Sequence, residues 1–128
     1  MECQALALYT PLRPEEMSLP VRIFHFPSLP DTWQDITVKQ CFTPHAGTGS
    51  SVWNAGAQLA LDLSNRLSGR RGKALELGCG LGLVSMVLSV LGFEVLATDG
   101  NEVVLECVKE NIRENGLDGL MAVQQYTW

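Results

Sequence analysis

The sequence predicts an α/β fold with a parallel sheet and helical crossovers, and three observations carry that reading. From Lys73 onward, short apolar runs and helical patterns follow one another as strand, helix, strand, helix, strand. Each pair of strands is separated by enough chain for a crossover helix, which parallel pairing requires. A glycine-rich turn, Gly78-Cys-Gly-Leu-Gly82, joins the first of these strands to the first of these helices. With 128 residues, the chain has room for one small domain. Hydrophobic residues make up 46% and charged residues 18%, so a packed core is expected rather than disorder.

Residues 1–46 read as an N-terminal arm followed by a β-hairpin. Pro11, Pro14 and Pro20 break any regular pattern up to Pro20. Val21-Arg-Ile-Phe-His-Phe26 alternates apolar and polar positions, as a half-buried strand does, and Pro27 and Pro30 end it. Asp35 to Cys41 alternates again, with Ile36 and Val38 on one face. Residues 47–128 read as the second unit. Gly47-Thr-Gly-Ser-Ser51 is a small-residue loop whose Ser50 or Ser51 is a candidate cap for a helix over Trp53–Leu67. Leu59, Leu63 and Leu67 are expected on its buried face. Lys73–Leu77 is a strand and Leu83–Leu91, apolar on all sides, a buried helix closed by Gly92. Phe93–Thr98 is the next strand, with Asp99 at its end. Asn101 caps a helix over Glu102–Glu114, whose stripe is Val103, Val104, Cys107, Val108 and Ile112. Leu120–Tyr126 is the third strand of the series. Right-handed crossovers fix the local order of these strands.

Charge and cysteine usage exclude several functions. A net charge of −5 repels polyanions, so no nucleic-acid partner is expected. No apolar run is long enough to span a bilayer, and no membrane partner is expected. Cys3, Cys41, Cys79 and Cys107 form no C-x-x-C pair, and His25 and His45 lie far from any cysteine pair, so no metal site is expected. A start without a secretory pattern and a cysteine-poor composition predict free thiols in a soluble cytoplasmic protein, with the nucleus also open to it.

The chemistry sits in Glu76-Leu-Gly-Cys-Gly-Leu-Gly82. Glycine lets the backbone turn sharply and approach a ligand. The turn lies at the carboxyl end of its strand, where open α/β sheets bind ligands. Asp99, ending the neighbouring strand, can accept hydrogen bonds from both hydroxyls of a ribose. A dinucleotide fingerprint is G-x-G-x-x-G with a pyrophosphate on the helix start. Here the glycines are Gly78, Gly80 and Gly82, and an acid, Glu76, precedes them. An acid suits the cationic amino-acid end of S-adenosylmethionine and repels a pyrophosphate. The plainer alternatives are a tight turn with no ligand, a solvated Glu76 and an Asp99 that merely favours a helix start. Cys79 reads as a small filler, since no basic group adjoins it.

These residues resemble motif I of the seven-β-strand, Rossmann-like S-adenosylmethionine-dependent methyltransferases. Ala97-Thr-Asp-Gly-Asn101, Asn111-Ile-Arg-Glu-Asn115 and Gly49-Ser-Ser-Val-Trp53 resemble segments of the protein-lysine methyltransferases related to calmodulin-lysine methyltransferase. The resemblance covers about Gly47 to Trp128. It implies a cofactor site in which Glu76, Gly78, Gly80 and Gly82 line the methionine end and ribose and Asp99 holds the ribose hydroxyls. Trp53 would close the pocket, and Trp128 would lie against the adenine. Trp53 as a core anchor and Trp128 as a loose terminal aromatic are the alternatives.

The resemblance also implies strands beyond the third, with substrate residues following the fourth. The chain therefore reads as the N-terminal half of that sheet, expected to be weak or inactive as a catalyst, with Lys73–Leu77 an open edge that a protein partner could cover. No catalytic residue can be named, and the substrate implied is a protein lysine. A non-catalytic interaction fragment, a nicotinamide-dependent oxidoreductase and a methyltransferase acting on a small molecule or RNA are the other functions that the motif leaves open.

Overall fold

The structure, a computed structural model, describes residues 18–128. Most of the expected N-terminal arm therefore lies outside the described residues. Strand β1 (Val21–His25) pairs antiparallel with β2 (Asp35–Lys39), Val21 opposite Lys39 and His25 opposite Asp35. Ile36 and Val38 on β2 are fully buried, as the alternation predicts, and Phe26 and Leu29 extend that buried face.

Helix α1 (Asn54–Arg66) leads into β3 (Lys73–Leu77), then α2 (Leu83–Leu91), β4 (Glu94–Asp99), α3 (Glu102–Glu114) and β5 (Met121–Gln125). The three later strands form a parallel sheet in the order β3-β4-β5, separate from the hairpin. Ala74, Val95 and Met121 share one row across it, and Glu76, Ala97 and Val123 share the next but one. Ser85 of α2 reaches Glu76 on this face, whereas Leu75 and Leu77, on the other face of β3, stand more than half exposed. Seven consecutive residues of α2, Leu83 to Ser89, are buried, in line with a helix apolar on all sides. Among the described residues, no helix is long and apolar enough to cross a membrane.

The hairpin is docked by two asparagines of α3. Asn111 accepts from the Lys39 amide at 2.8 Å and donates to the Lys39 carbonyl at 3.2 Å. One turn later Asn115 accepts from the Thr37 amide at 2.9 Å and donates to the Thr37 carbonyl at 2.8 Å. Their four-residue spacing puts both amides on one helix face. There they satisfy the backbone groups of β2 that β1 does not pair, as a further strand would. Trp33 adds a bond from Nε1 to the Asn115 carbonyl at 3.0 Å.

Several sequence expectations are corrected. Leu59, Leu63 and Leu67 do not form the buried line of α1: Leu59 is exposed, and the buried residues are the small Ala60 and Ser64. Small side chains let α1 lie close to its neighbours, and Ser64 accepts from Ser28 while donating to the Leu61 carbonyl. Neither Ser50 nor Ser51 caps α1. Gly47–Ser50 forms a short 3-10 turn instead, and Trp53, with extended backbone, takes the cap position without a side-chain bond. Cys41 and Cys107, expected as thiols, are joined as a disulfide across 66 residues of sequence, their Cα atoms 6.5 Å apart. Folding α3 against the exit of β2 brings them together, a proximity that spacing in sequence does not reveal.

Candidate functional site

The glycine turn follows β3 directly, and its conformation needs glycine. Gly78 and Gly80 have φ of +68° and +54°, a region that side-chain-bearing residues rarely adopt. A Cβ on Gly80 would meet nothing within 4 Å, and one on Gly78 would approach only the Trp128 ring, at 3.9 Å. The turn thus presents bare backbone to open space. It is fixed by the neighbouring strand: the Cys79 amide donates to the Thr98 carbonyl at 2.7 Å, and the Thr98 hydroxyl donates to the Glu76 carbonyl at 2.7 Å. Asn111 donates to the Leu81 carbonyl at 3.2 Å, tying the turn to α3.

Asp99 ends β4 beside the turn. Its Oδ2 accepts from the Gly80 amide at 3.1 Å and its Oδ1 from the Asn101 amide at 3.0 Å. Each oxygen keeps a further lone pair. Asn101 caps α3 as expected, accepting from the amides of Val103 and Val104. It also donates to the His45 carbonyl at 2.7 Å, which draws the loop before Trp53 over the site. Between this loop, the turn and Asp99 lies a cleft of about 550 Å³, within the size range of small-molecule sites. Gly47, Thr48, Gly49, Trp53, Gly78, Gly80, Asp99, Asn101, Tyr126 and Trp128 are among its lining residues.

A second cleft of about 350 Å³ opens on the other side of the turn, toward the start of α1, and Glu76 lines it. Ser51, Trp53, Gly78 and Gly80 line both, so the two meet at the turn. Burial pushes the Glu76 carboxyl up to about 7, with Asp99 adding to the rise and hydrogen bonds from Ser85 opposing it. Burial, Glu76 and Asp99 together push the Cys79 thiol up to about 12. A thiol held that high carries no nucleophilic thiolate near neutral pH.

The expected site residues thus fall into three groups. Gly78, Gly80, Asp99, Trp53 and Trp128 line the larger cleft and Glu76 the smaller one. Gly82 lies outside both, at φ +90° under the turn, where a Cβ would stand 3.1 Å from Cγ1 of Val108. Its role is to let the turn pack on α3. Trp53 is no core anchor: it is more than half exposed, held by a bond from Nε1 to the Thr48 carbonyl at 2.7 Å. Trp128 is largely exposed, with its ring 5.9 Å from that of Tyr126. Sequence reasoning missed Gly49, where a Cβ would come 2.5 Å from Cγ2 of Val104, and Ser85. The run of small residues at Gly47–Ser51 was the available signal for the first. A serine inside an otherwise apolar helix was the signal for the second.

Residues 33–128 match the model of a protein family described as lysine methyltransferase. The chain belongs to that family. It is 36% identical over 86 residues to the protein N-lysine methyltransferase METTL21A of Mus musculus, and equally to that of Danio rerio. The match takes in 64% of this chain and 39% of each relative, so the chain spans about two fifths of the length of the curated relatives it matches. Among solved structures, a tRNA (uracil-54, C5)-methyltransferase of Pyrococcus abyssi, in complex with S-adenosyl-L-homocysteine, superposes with a TM-score of 0.52 at 17% identity. The superposition covers 85% of this chain and 24% of that one. This likeness shows the fold. It accords with the α/β architecture expected for the Rossmann-like methyltransferases.

Proposed function

We propose that the chain forms the cofactor-binding part of an S-adenosylmethionine-dependent methyltransferase acting on a protein lysine. One observation carries the reading: Asp99 and the bare glycine turn face a single cleft, held 3.1 Å apart through the Gly80 amide. In the lysine methyltransferase family this is where a nucleoside cofactor is expected, and the METTL21A relatives are named as protein N-lysine methyltransferases. The donor set fits the group. Asp99 has lone pairs for two ribose hydroxyls, and the turn has no side chains to hinder close approach. Trp128 offers an aromatic face for the base, and Glu76 in the adjoining cleft offers a carboxylate for the cationic amino-acid end.

When bound, the cofactor supplies an electrophilic sulfonium methyl group. The protein's share is to hold the cofactor in one orientation, which lowers the entropic part of the barrier. Asp99, lining the larger cleft, and Glu76, lining the smaller one, are the residues that would hold its two ends.

Titrating S-adenosylhomocysteine into the chain by calorimetry tests the reading. We expect one site, weakened by about 10–100-fold in D99A through loss of charge-assisted hydrogen bonds. No heat is expected with NAD. Binding that D99A leaves intact would refute the site. Tritiated cofactor with purified candidate proteins, read as methyl-lysine by mass spectrometry, then tests the substrate class.

A further inference from the structure

Helix α2 is apolar except for two serines. Ser85 is fully buried, and its hydroxyl donates to Oε1 of Glu76 at 2.9 Å. A buried helical serine ordinarily bonds back to the carbonyl one turn earlier, so a bond to a carboxylate on the neighbouring strand is a specific arrangement. The backbone amide of Ser85, in the first turn of α2, acts on the same carboxylate. The Ser85 hydroxyl therefore holds Glu76, which lines the cleft between the glycine turn and α1.

We infer that Ser85 is a positioning residue for the cofactor, aiming the Glu76 carboxylate into the smaller cleft so that a cationic amino-acid group meets a prealigned acceptor. The inference rests on the cofactor reading of the site and deepens it. It assigns a function to a side chain that lines neither of the two clefts described above.

The surroundings of Glu76 make the arrangement sensitive to pH. Asp99, at the end of β4, opposes ionisation of Glu76, and Cys79 in the turn stays a neutral thiol. The α1 residues that line this cleft, Ala55, Gly56 and Leu59, bring no charge. The Ser85 donors favour the ionised form against burial and Asp99. Without the hydroxyl, a higher pH is needed to charge Glu76.

The test is calorimetry of S-adenosylhomocysteine with the 128-residue chain from pH 5.5 to 8.5, for the wild type, S85A and E76Q. The wild-type affinity is expected to rise with pH and level off near 7. In S85A the levelling is expected about one pH unit higher, so that binding is several-fold weaker at pH 7 and close to wild type at pH 8.5. E76Q should bind weakly throughout, with no break. S85C, which fills the site with a slightly larger side chain and weakens the donor, should shift in the same direction as S85A and stands in for it if S85A does not fold. An S85A curve that superimposes on the wild type, or lies below it by the same factor at every pH, overturns the inference and leaves the cofactor site standing. Absence of binding by the wild type overturns both.

Discussion

Replacing Asn111 by alanine should unfold the link between the hairpin and the glycine turn, and its cost can be worked from the contacts. Asn111 is fully buried. Its side chain makes three bonds to backbone: from the Lys39 amide at 2.8 Å, to the Lys39 carbonyl at 3.2 Å and to the Leu81 carbonyl at 3.2 Å. A net hydrogen bond contributes about 1 kcal/mol, and a buried group left without a partner costs about 1–3 kcal/mol. Water can reach Lys39, which is exposed, but Leu81 is buried. N111A should therefore lose about 3 kcal/mol. For a domain of this size, that lowers the melting temperature by about 10 °C. Urea unfolding followed by far-ultraviolet circular dichroism measures it. N115A removes bonds at a less buried position and should cost about half as much. A loss below about 1 kcal/mol in N111A would refute the idea that the two amides, rather than apolar packing alone, hold β2 on α3.

Two further outcomes follow from the site. In G49A the new Cβ would stand 2.5 Å from Cγ2 of Val104, so the loop that covers the cleft must lift. S-adenosylhomocysteine affinity should fall by about tenfold while the urea midpoint moves little, and an unchanged affinity would show that the loop takes no part in binding. The Glu76 carboxyl, at about 7 when folded against an ordinary 4.5, binds its proton more tightly in the folded state. Stability from this group is thus present below pH 4.5 and is lost as pH rises through 7, by up to about 3 kcal/mol. E76Q should flatten that part of the stability–pH curve, and a curve of unchanged slope would place Glu76 in solvent.

How much was legible in the sequence follows from the range of the interactions involved. The strands, the helices and the Asn101 cap lie within one or two residues of their expected bounds, β2 ending at Lys39 rather than Cys41, because alternation, glycine and a capping amide act over a few residues. The meeting of Asp99 with the glycine turn was legible too, since a parallel strand-helix-strand unit must place the two strand ends side by side. The attachment of the hairpin was not. Asn111 and Asn115 bond to residues 72 and 78 positions away, and on a helical wheel they read as an interruption of an apolar stripe. The Cys41–Cys107 pair is hidden in the same way. In α1, leucine spacing misled because close packing selected Ala60 and Ser64 for the interior, and helix approach distance is not a property of one segment.

The same contacts that hold the fold together also set the site. The amide of Cys79 is bonded to Thr98, that of Gly80 to Asp99 and that of Gly82 to the Cys79 carbonyl, while the Leu81 carbonyl takes the Asn111 amide. Four residues of the turn thus have backbone partners supplied by β4, α3 or the turn itself, before any ligand is considered. A loop that had to order on binding would lose about 1–2 kcal/mol per residue in backbone entropy. Here that ordering is completed in folding, so binding free energy goes to contacts with the ligand. The coupling runs both ways: a ligand bound to the turn must stabilise the hairpin, although the hairpin strands do not line the clefts. Saturating S-adenosylhomocysteine should accordingly slow amide exchange at Thr37 and Lys39, whose amides the two asparagines hold. Exchange at these two positions that is indifferent to the ligand would mean that the hairpin and the site are separate cooperative units.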